Sequence, residues 1–346
     1  MKNNLLYLNL AIDKKDTSLG FASSWIEEIS KIYNKIDVVT LRLGEIPELP
    51  KNVNIYGPIT SKNKLQKYIY LYKKINNLTK TNNYSRCFSH MSGISLFIVS
   101  GLLNKNKIKS TLWFTHPGPS FGLKKFILYS AYKFSENIVT ASKSSFPFSS
   151  NKVSVIGHAI DTKNFKNTKN EYKINNFLIL SRISRSKNIE ISINAFLNSN
   201  FKDKNLDIIG GPLNSDDEDY FDTLSKKYLH YENINFLGKI NHNQLPMKIA
   251  DYDVSFNCAG DGFFDKSVLE TLSCGILNFY HNKDFDDIYE SYAEKFYFNN
   301  EVELTNKINA LSLMTNKDIE TFFSEINYNL DNHSLNSLTE RLKPYF

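Results

Sequence analysis

The sequence has little cysteine and no cysteine pair. Its three cysteines, Cys87, Cys258 and Cys274, lie far apart, and no Cys-x-x-Cys occurs. An odd and dispersed set supports neither a disulfide framework nor a zinc cage. We therefore expect reduced thiols and a cytoplasmic location.

Long hydrophobic runs are also absent. The longest, residues 94–103, is well short of the roughly 20 residues that a membrane-spanning helix needs. The apolar residues 5–12 are followed by Asp13, Lys14 and Lys15 without a small-residue cleavage site, so no signal peptide is predicted. The sequence predicts a protein that is soluble or at most bound to a membrane surface.

Charge of one sign is only mildly in excess. The 42 Lys and Arg residues outnumber the 36 Asp and Glu residues by six, while hydrophobic residues make up 41% of the chain, so wholesale disorder is excluded. The excess suits a phosphate-bearing ligand or an anionic membrane surface. It is not the dense basic stripe of a nucleic-acid-binding protein, and we expect no nucleic-acid partner.

Short apolar runs alternate with longer stretches of helical spacing, and this rhythm predicts parallel sheets covered on both faces. The predicted strands are residues 5–12, 36–41, 86–89, 110–114, 137–141, 176–181, 206–209, 234–237, 254–257 and 277–280. A chain of 346 residues suits two domains of about 150 residues each. We predict one domain over 1–162, a polar linker over 163–172 and a second domain over 173–330. A C-terminal helix at about 330–346 would pack back on the first domain.

The loop 180–188 lies between a predicted strand and a predicted helix and reads Leu-Ser-Arg-Ile-Ser-Arg-Ser-Lys-Asn. Its cations Arg182 and Lys187 can bind a diphosphate, because both face the N-terminus of the helix. Charge-assisted hydrogen bonds of this kind contribute roughly 1.5–3 kcal/mol each. Taken alone, the loop is equally consistent with a solvated basic turn.

A second cluster, residues 261–275, follows the predicted strand 254–257 and opens a helix that ends at Gly275, a suitable left-handed cap. Glu270 lies among apolar neighbours in this helix. A carboxylate in such surroundings needs polar partners, and two ribose hydroxyls would supply them. The alternative is a solvent-facing helical glutamate.

Together the two clusters resemble the retaining glycosyltransferases of family 4, whose GT-B fold has two Rossmann-like domains facing across a central cleft. In that family a Gly-Arg-Leu-x-x-x-Lys-Gly loop binds the donor diphosphate; Arg182 and Lys187 match its cations, while Ser181 and Asn188 replace its glycines. Glu270 matches the second acid of the family's Glu-x7-Glu motif, which holds the donor ribose. The resemblance implies the donor-binding residues Arg182, Lys187, Gly238, Ser267, Val268 and Glu270.

The first acid of that motif is missing, because the position eight residues before Glu270 is Gly262. A subset of the family carries Asp-Lys-x-x-Leu-Glu here, and residues 265–270 match it. Asp265, or less favourably Asp261, would then take the place of the missing acid near the sugar. Lys266 would contact the donor phosphate or the sugar. The alternative is that Asp265 merely caps the helix.

The first half resembles the family more weakly. Residues 16–21 lie where the family has a glycine loop, residues 112–116 end a strand with a histidine, and residues 155–161 match the segment that leads into the second domain. The resemblance implies His116, Asp265 and Lys266 as catalytic residues, and Leu19, Gly20 and His158 as residues of cleft loops.

Other site chemistries are poorly supported. His90, His116, His158 and His242 are not spaced as metal ligands, and Asp251-Tyr252-Asp253, although it has the Asp-x-Asp spacing of metal-dependent transferases, is better interpreted as a surface turn. A GT-B enzyme stabilises the leaving diphosphate with cations and a helix dipole, so we expect neither a metal nor another cofactor. Ser142, Ser144 and Ser145 lie outside any Gly-x-Ser-x-Gly nucleophile elbow, which disfavours a serine hydrolase, and the sequence lacks the P-loop.

Two basic and aromatic stretches lie in the first domain, at 62–80 and 123–132. The first is either an amphipathic helix at a membrane surface or, as we favour, a core-facing helix with a basic outer face. Peripheral contact with the inner face of the cytoplasmic membrane through this domain is therefore one expectation.

The resemblance implies a metal-independent hexosyltransferase that moves a sugar, with retention, from a nucleotide-sugar to a saccharide or lipid-linked acceptor. Cell-surface polysaccharide or glycolipid synthesis would be its context. Two alternatives are a degenerate saccharide-binding protein, favoured by Gly262 and the lost loop glycines, and a nucleotide-sugar epimerase.

Overall fold

The computed structural model describes residues 3–16, 19–58 and 63–346, which form two compact units. Unit 1 comprises Met1–Ala159 and Leu335–Phe346, and unit 2 comprises Ile160–Ser334. The segment 163–172, predicted as a linker, lies within unit 2. The two units are each built on one parallel sheet, which confirms the predicted pair of Rossmann-like domains.

Unit 1 contains a seven-stranded sheet with the order β3-β2-β1-β4-β5-β6-β7. Its strands are β1 (Asn4–Asn9), β2 (Lys35–Thr40), β3 (Val53–Tyr56), β4 (Arg86–His90), β5 (Lys109–Trp113), β6 (Asn137–Thr140) and β7 (Val153–Val155). The sequence did not predict β3 and β7. Both are short edge strands with partly exposed residues, so neither carries the continuous apolar run of a central strand.

Four helices follow strands of this sheet: α1 (Ala22–Ser30), α2 (Lys64–Thr81), α3 (Gly93–Lys105) and α4 (Gly122–Phe134). Helices α2, α3 and α4 form one layer, since α3 packs against both of the others. Leu71, Val99 and Leu128 anchor the three helices in one apolar core with the strands. No helix among the described residues is both long and apolar enough to cross a bilayer.

Unit 2 contains a five-stranded parallel sheet with the order β10-β9-β8-β11-β12. Its strands are β8 (Asn176–Leu180), β9 (Asn205–Ile209), β10 (Ile234–Gly238), β11 (Val254–Asn257) and β12 (Leu277–Tyr280), close to the predicted ranges. Its helices are α5 (Ile189–Asn198), α6 (Ser215–Tyr228), α7 (Leu245–Ile249), α8 (Lys266–Ser273), α9 (Asp286–Tyr289), α10 (Ala293–Phe296), α11 (Glu301–Ala310) and α12 (Asn316–Asp331).

The chain order reverses once in each sheet, between β1 and β4 in unit 1 and between β8 and β11 in unit 2. At such a point the loops after the two strands diverge and leave a crevice at the carboxyl edge, where open α/β sheets bind ligands. The loops after β8 and β11 are the two clusters singled out in the sequence.

The C-terminal segment completes unit 1 through α13 (Leu338–Leu342), which contacts α1. The Thr111 hydroxyl donates a hydrogen bond of 2.7 Å to the Tyr345 carbonyl. The Phe346 ring lies 5.5 Å from the ring of Phe88 between centroids, and Leu342 is fully buried. The segment therefore contributes to the core of unit 1.

Candidate functional site

The loop after β8 places its two cations in different environments. Lys187 is only 8% exposed, whereas Arg182 is exposed and forms no ion pair with the described residues. Asn188, with φ of 47°, immediately precedes α5, and its side-chain amide donates to the Cys258 carbonyl at 3.1 Å. This hydrogen bond ties the loop after β8 to the loop after β11.

Gly210 fixes the path of that loop, although the sequence analysis did not assign it to the site. Its φ is +144°, and a Cβ at this position would lie 1.8 Å from the Ser181 carbonyl oxygen. Only glycine permits so close an approach of two backbones. The Gly210 N–H donates to the carbonyl of Gly238 at 2.9 Å, so Gly238, with φ of +72° and open space beside it, lies at the same edge.

A two-pronged ion pair joins the clusters that the sequence analysis identified separately. The Lys187 ammonium donates to both carboxylate oxygens of Asp265, at 2.7 and 2.6 Å. The Asn257 side-chain amide donates to the same carboxylate at 3.0 Å, and the Phe263 ring lies under the ammonium with 4.9 Å to its centroid. Asp265 precedes α8 but makes no capping hydrogen bond, so its side chain serves as the charge partner of Lys187.

Glu270 is buried in α8, 3% exposed, so the alternative of a solvent-facing glutamate is wrong. Its Oε1 lies 2.8 Å from His242 Nε2 and 3.3 Å from Lys266 Nζ. Burial by itself raises the pKa of Glu270, but the charge of Lys266 and the hydrogen bond with His242 outweigh it, and the pKa lies below that of an ordinary glutamate. The site therefore holds an ionised carboxylate.

His242 is a site residue that the sequence analysis considered only as a metal ligand. Its ring packs on Phe165 at 5.4 Å between centroids, which orients Nε2 toward Glu270. His242 lies 28 residues before Glu270 in a short 3₁₀ turn after β10. No local motif marks it, because the contact depends on the strand order.

The remaining residues of the second cluster differ in exposure. Ser267 is half-buried, whereas the Val268 side chain is fully buried and its N–H donates to the Asp265 carbonyl at 3.2 Å. Asp261 is exposed and accepts the Lys283 N–H at 3.4 Å. Gly262 has φ of +86°, a conformation in which a glutamate would be strained.

The Asp251-Tyr252-Asp253 segment lies at the opposite edge of the sheet, where β11 begins. Asp253 accepts the N–H groups of Asn175 and Asn176 at 3.1 and 2.9 Å, and pairs with the half-buried Lys169 at 3.1 Å. Tyr252 and Asp253 are buried and only Asp251 is exposed, so the segment is a buried structural turn and not the surface turn that the sequence suggested. No cluster of three or more potential His, Cys, Asp or Glu metal ligands occurs in the described ranges.

In unit 1, the loop after β1 contains two of the predicted residues. The Leu19 N–H donates to the Asp16 carboxylate at 2.8 Å and the Gly20 N–H to the Asp16 carbonyl at 3.0 Å, while Arg42 pairs with that carboxylate. The other members of the predicted glycine loop, Thr17 and Ser18, lie outside the described residues. The loop follows β1 and therefore lies at the point where the strand order reverses.

His116 is exposed and lies three residues beyond β5. Its N–H donates to the Ser145 carbonyl at 2.7 Å, and its Nδ1 accepts the Gly118 N–H at 3.1 Å. The neutral ring must then carry its proton on Nε2. His158 is buried instead, with its ring 5.9 Å from that of Trp113 between centroids.

His90, which the sequence analysis did not assign to the site, ends β4 at the reversal point of unit 1. It is 1% exposed, its Nδ1 lies 2.7 Å from the Tyr7 hydroxyl, and its ring packs against Trp25 at 4.7 Å between centroids. Burial, with a smaller contribution from the nearby His158, lowers the pKa of His90 to about 3. The imidazole is therefore neutral throughout the physiological range.

We expect His90 to make the protein less stable in acid. Between pH 6.5, the ordinary pKa, and about 3, the unfolded chain binds a proton at this site that the folded chain does not. The free energy of unfolding should therefore fall with decreasing pH by up to about 1.4 kcal/mol per unit from this group alone. Chemical denaturation at several pH values should show a shallower slope for His90→Gln than for the wild type. Identical slopes would contradict the neutral assignment.

Comparison with known proteins indicates the class of protein to which the fold and the site belong. Residues 160–318, nearly all of unit 2, match the family model of glycosyl transferases group 1. The structure of HepE from Anabaena in complex with UDP-glucose has a TM-score of 0.76 at 14% identity, over 99% of this chain and 100% of that one. The structure of sucrose-phosphate synthase from Thermosynechococcus elongatus has a TM-score of 0.75 at 12% identity, over 99% of this chain and 97% of that one. No curated protein matches the sequence.

A glycosyltransferase from Rickettsia africae is similar to the same extent, with a TM-score of 0.72 at 14% identity over 99% of this chain and 98% of that one. These likenesses establish the fold, and the predicted GT-B fold is confirmed. The matched family model adds the class, and the chain is a glycosyltransferase.

Proposed function

We propose that this glycosyltransferase moves a hexosyl group, with retention, from a nucleoside-diphosphate sugar to a hydroxyl of a saccharide or lipid-linked acceptor. The proposal places it in family 4 and in cell-surface polysaccharide or glycolipid synthesis. The donor binds unit 2 and the acceptor binds unit 1. UDP-glucose is the first donor to test, because HepE is described in complex with it.

The observation that carries the proposal is the position of Lys187 and Glu270. Both lie at the reversal point of the unit 2 sheet, on the loop after β8 and the helix after β11. Lys187 matches the loop that binds the diphosphate in family 4, Glu270 matches the acid that holds the ribose in the same family, and the strand order brings the two loops together. A ligand bound by both residues accounts for their common position at the edge where open α/β sheets bind ligands. A solvated basic turn and an unrelated helical glutamate do not account for it.

The leaving diphosphate would be stabilised by two kinds of cation. Lys187 is held in place by Asp265 and so requires little reorganisation to meet a phosphate oxygen, whereas the exposed Arg182 is available to close on the other oxygens. Both contacts strengthen as charge develops on the departing diphosphate. The N-terminus of α8, with Lys266 in its first turn, adds a further positive field.

Glu270 would hold the donor ribose. Its Oε1 is occupied by His242 and Lys266, which orients the carboxylate and leaves Oε2 as the acceptor for ribose hydroxyls. A fixed ribose fixes the anomeric carbon relative to the acceptor. In unit 1, we propose that His116 presents its Nε2–H to the sugar or the acceptor, flanked by the loops of Leu19, Gly20 and His158.

The direct test is a thermal-shift screen of nucleotide-sugars, followed by transfer assays with the donors that bind. We expect a rise in melting temperature with at least one nucleoside-diphosphate sugar and a transferred sugar in the presence of an acceptor. Binding without transfer or hydrolysis would favour the saccharide-binding alternative. An altered sugar nucleotide formed from the donor alone would favour the epimerase.

We further expect transfer without a metal ion. Lys187, Arg182 and the helix N-terminus supply positive charge for the leaving group at the position where other transferases use a cation. Activity should therefore be unchanged after exhaustive treatment with a chelator. Activity that is lost on chelation and restored by magnesium or manganese would contradict this expectation.

A further inference from the structure

The small net charge of the whole chain is the sum of a net positive charge on unit 1 and a net negative charge on unit 2. Unit 1 contains 24 Lys and Arg residues against nine Asp and Glu residues, whereas unit 2 contains 18 against 27. The net charges are therefore +15 and −9. Such an asymmetry between domains indicates that one of them meets an anionic surface.

The positive charge is concentrated on one layer of unit 1. Residues 49–135 include no Asp or Glu and 14 Lys and Arg residues. This stretch contains α2, α3 and α4, the layer that packs on one face of the sheet. Within the described part of the chain, none of the exposed lysines of these helices forms an ion pair; they are Lys64, Lys73, Lys80, Lys105, Lys124, Lys125 and Lys133.

Large apolar side chains project from the same helices. In α4, Leu123, Phe126 and Tyr129 follow each other at intervals of three residues and are 73%, 59% and 41% exposed, and Phe121 just before the helix is 84% exposed. The opposite side of α4 is buried through Leu128, Ala131 and Tyr132. The helix is therefore apolar on both faces, and only the inner face is covered within unit 1.

Helix α2 repeats the arrangement. Leu65, Ile69 and Tyr72 form a stripe at helical spacing and are 68%, 46% and 43% exposed, while Leu71, Ile75 and Leu78 face the core. Both helices follow strands of a parallel sheet, so both begin at its carboxyl edge. The exposed Leu65, Phe121 and Leu123 therefore lie at the edge where open α/β sheets bind ligands.

We propose that α4 and the first half of α2 bind the surface of an anionic bilayer, with the apolar stripes inserted at the level of the acyl chains and the lysines on phosphate headgroups. A helix with large apolar side chains on its free face and lysines beside them is suited to this position. Phosphates alone would account for the lysines but not for an exposed phenylalanine and leucines, and for this reason a bilayer is favoured over a nucleic acid. This inference does not depend on the transfer reaction.

The test is co-sedimentation of the full-length chain with vesicles of phosphatidylcholine alone and of phosphatidylcholine mixed with phosphatidylglycerol. We expect binding to the mixed vesicles, weakened by salt, and little binding to the neutral ones. Lys124→Gln/Lys125→Gln should lower the partition coefficient about fivefold per lysine. Leu123→Ser/Phe126→Ser should lower it about tenfold or more at unchanged charge.

The matched control is Met247→Ser/Leu313→Ser, which removes two apolar side chains from unit 2 that are even more exposed than Leu123 and Phe126, at 85% and 83%. It should bind vesicles as the wild type does. Since all four apolar residues are exposed, circular dichroism should show no unfolding in either variant. Equal binding to neutral vesicles, or full binding by Leu123→Ser/Phe126→Ser, would overturn the proposal. Binding to duplex DNA that requires the lysines but not Leu123 and Phe126, without vesicle binding, would also overturn it.

Discussion

Replacing Lys187 with alanine should reduce transfer about a hundredfold while the fold persists. The ammonium meets charge that develops only as the diphosphate leaves, and losing one such contact costs ~3 kcal/mol in the transition state. The variant also leaves the Asp265 carboxylate without its cation, close to the place where the diphosphate would sit. The measurement is turnover at saturating donor, together with the melting temperature. Arg182→Ala should show a loss of similar size.

Arg185 offers a matched control, because it lies with Lys187 in the short 3₁₀ turn Arg185–Lys187 of the loop after β8. Its guanidinium is exposed and stacks on Tyr220 at 5.1 Å, away from Asp265. Arg185→Ala should retain transfer close to that of the wild type. The pair Lys187→Ala/Asp265→Asn removes the uncompensated carboxylate and should recover stability without recovering turnover. A folded Lys187→Ala with wild-type turnover would show that the loop after β8 does not bind the diphosphate.

Changing Glu270 should act mainly on donor affinity. The ribose is remote from the reacting carbon and binds alike in the ground and transition states, so its loss raises the dissociation constant more than it lowers turnover. Glu270→Gln removes the charge from the hydrogen bonds and should weaken donor binding about tenfold. Glu270→Ala should cost more, because the half-buried His242 and Lys266 side chains also lose their acceptor. Calorimetric titration of each variant with the donor measures both dissociation constants.

Glu303 provides the control for a charge change in a helix, since it pairs with Lys307 four residues away at 3.1 Å. Glu303→Gln should leave donor affinity unchanged. If Glu270→Gln bound the donor as tightly as the wild type, the ribose assignment would fail and the best-matched part of the family motif with it. Asp265→Asn distinguishes two roles for the Asp265 carboxylate. If the carboxylate touches the sugar, its neutralisation should lower turnover. If it only positions Lys187, its neutralisation should change donor affinity as well.

The sequence predicted strands such as β8 and β12 closely because apolar residues predominate in them. Residues 254–257 and 277–280 form strands over the predicted ranges, since these segments are buried on both faces. The sequence did not predict the edge strands β3 and β7, which are only four and three residues long and are partly exposed. The interactions that organise the site were also invisible: His242 reaches Glu270, and Lys187 reaches Asp265 across 78 residues, only because strand order places their loops side by side.

The motifs predicted which residues lie in the site, but they did not predict the side-chain partner of each residue. The motif implied that Asp265 lies near the sugar or caps the helix, whereas its carboxylate pairs with Lys187 in the structure. Likewise, His90 was considered only as a metal ligand. Its burial depends on the aromatic rings of Trp25 and Trp113, which come from α1 and β5, and no spacing rule connects these three residues.

The discontinuous make-up of unit 1 constrains how the chain can fold as it is synthesised. Unit 2 is encoded without interruption, so it can reach its native state as soon as residue 334 has emerged. Most of unit 1 is synthesised first, but unit 1 completes its folding second. The hydrogen bond from Thr111 to Tyr345 can form only after another 234 residues have been synthesised. Until then Phe88 lacks its contact with Phe346, and this part of the apolar core of unit 1 is exposed and prone to aggregation. A fragment that stops at residue 334 should consequently aggregate, even though every strand of both sheets is present.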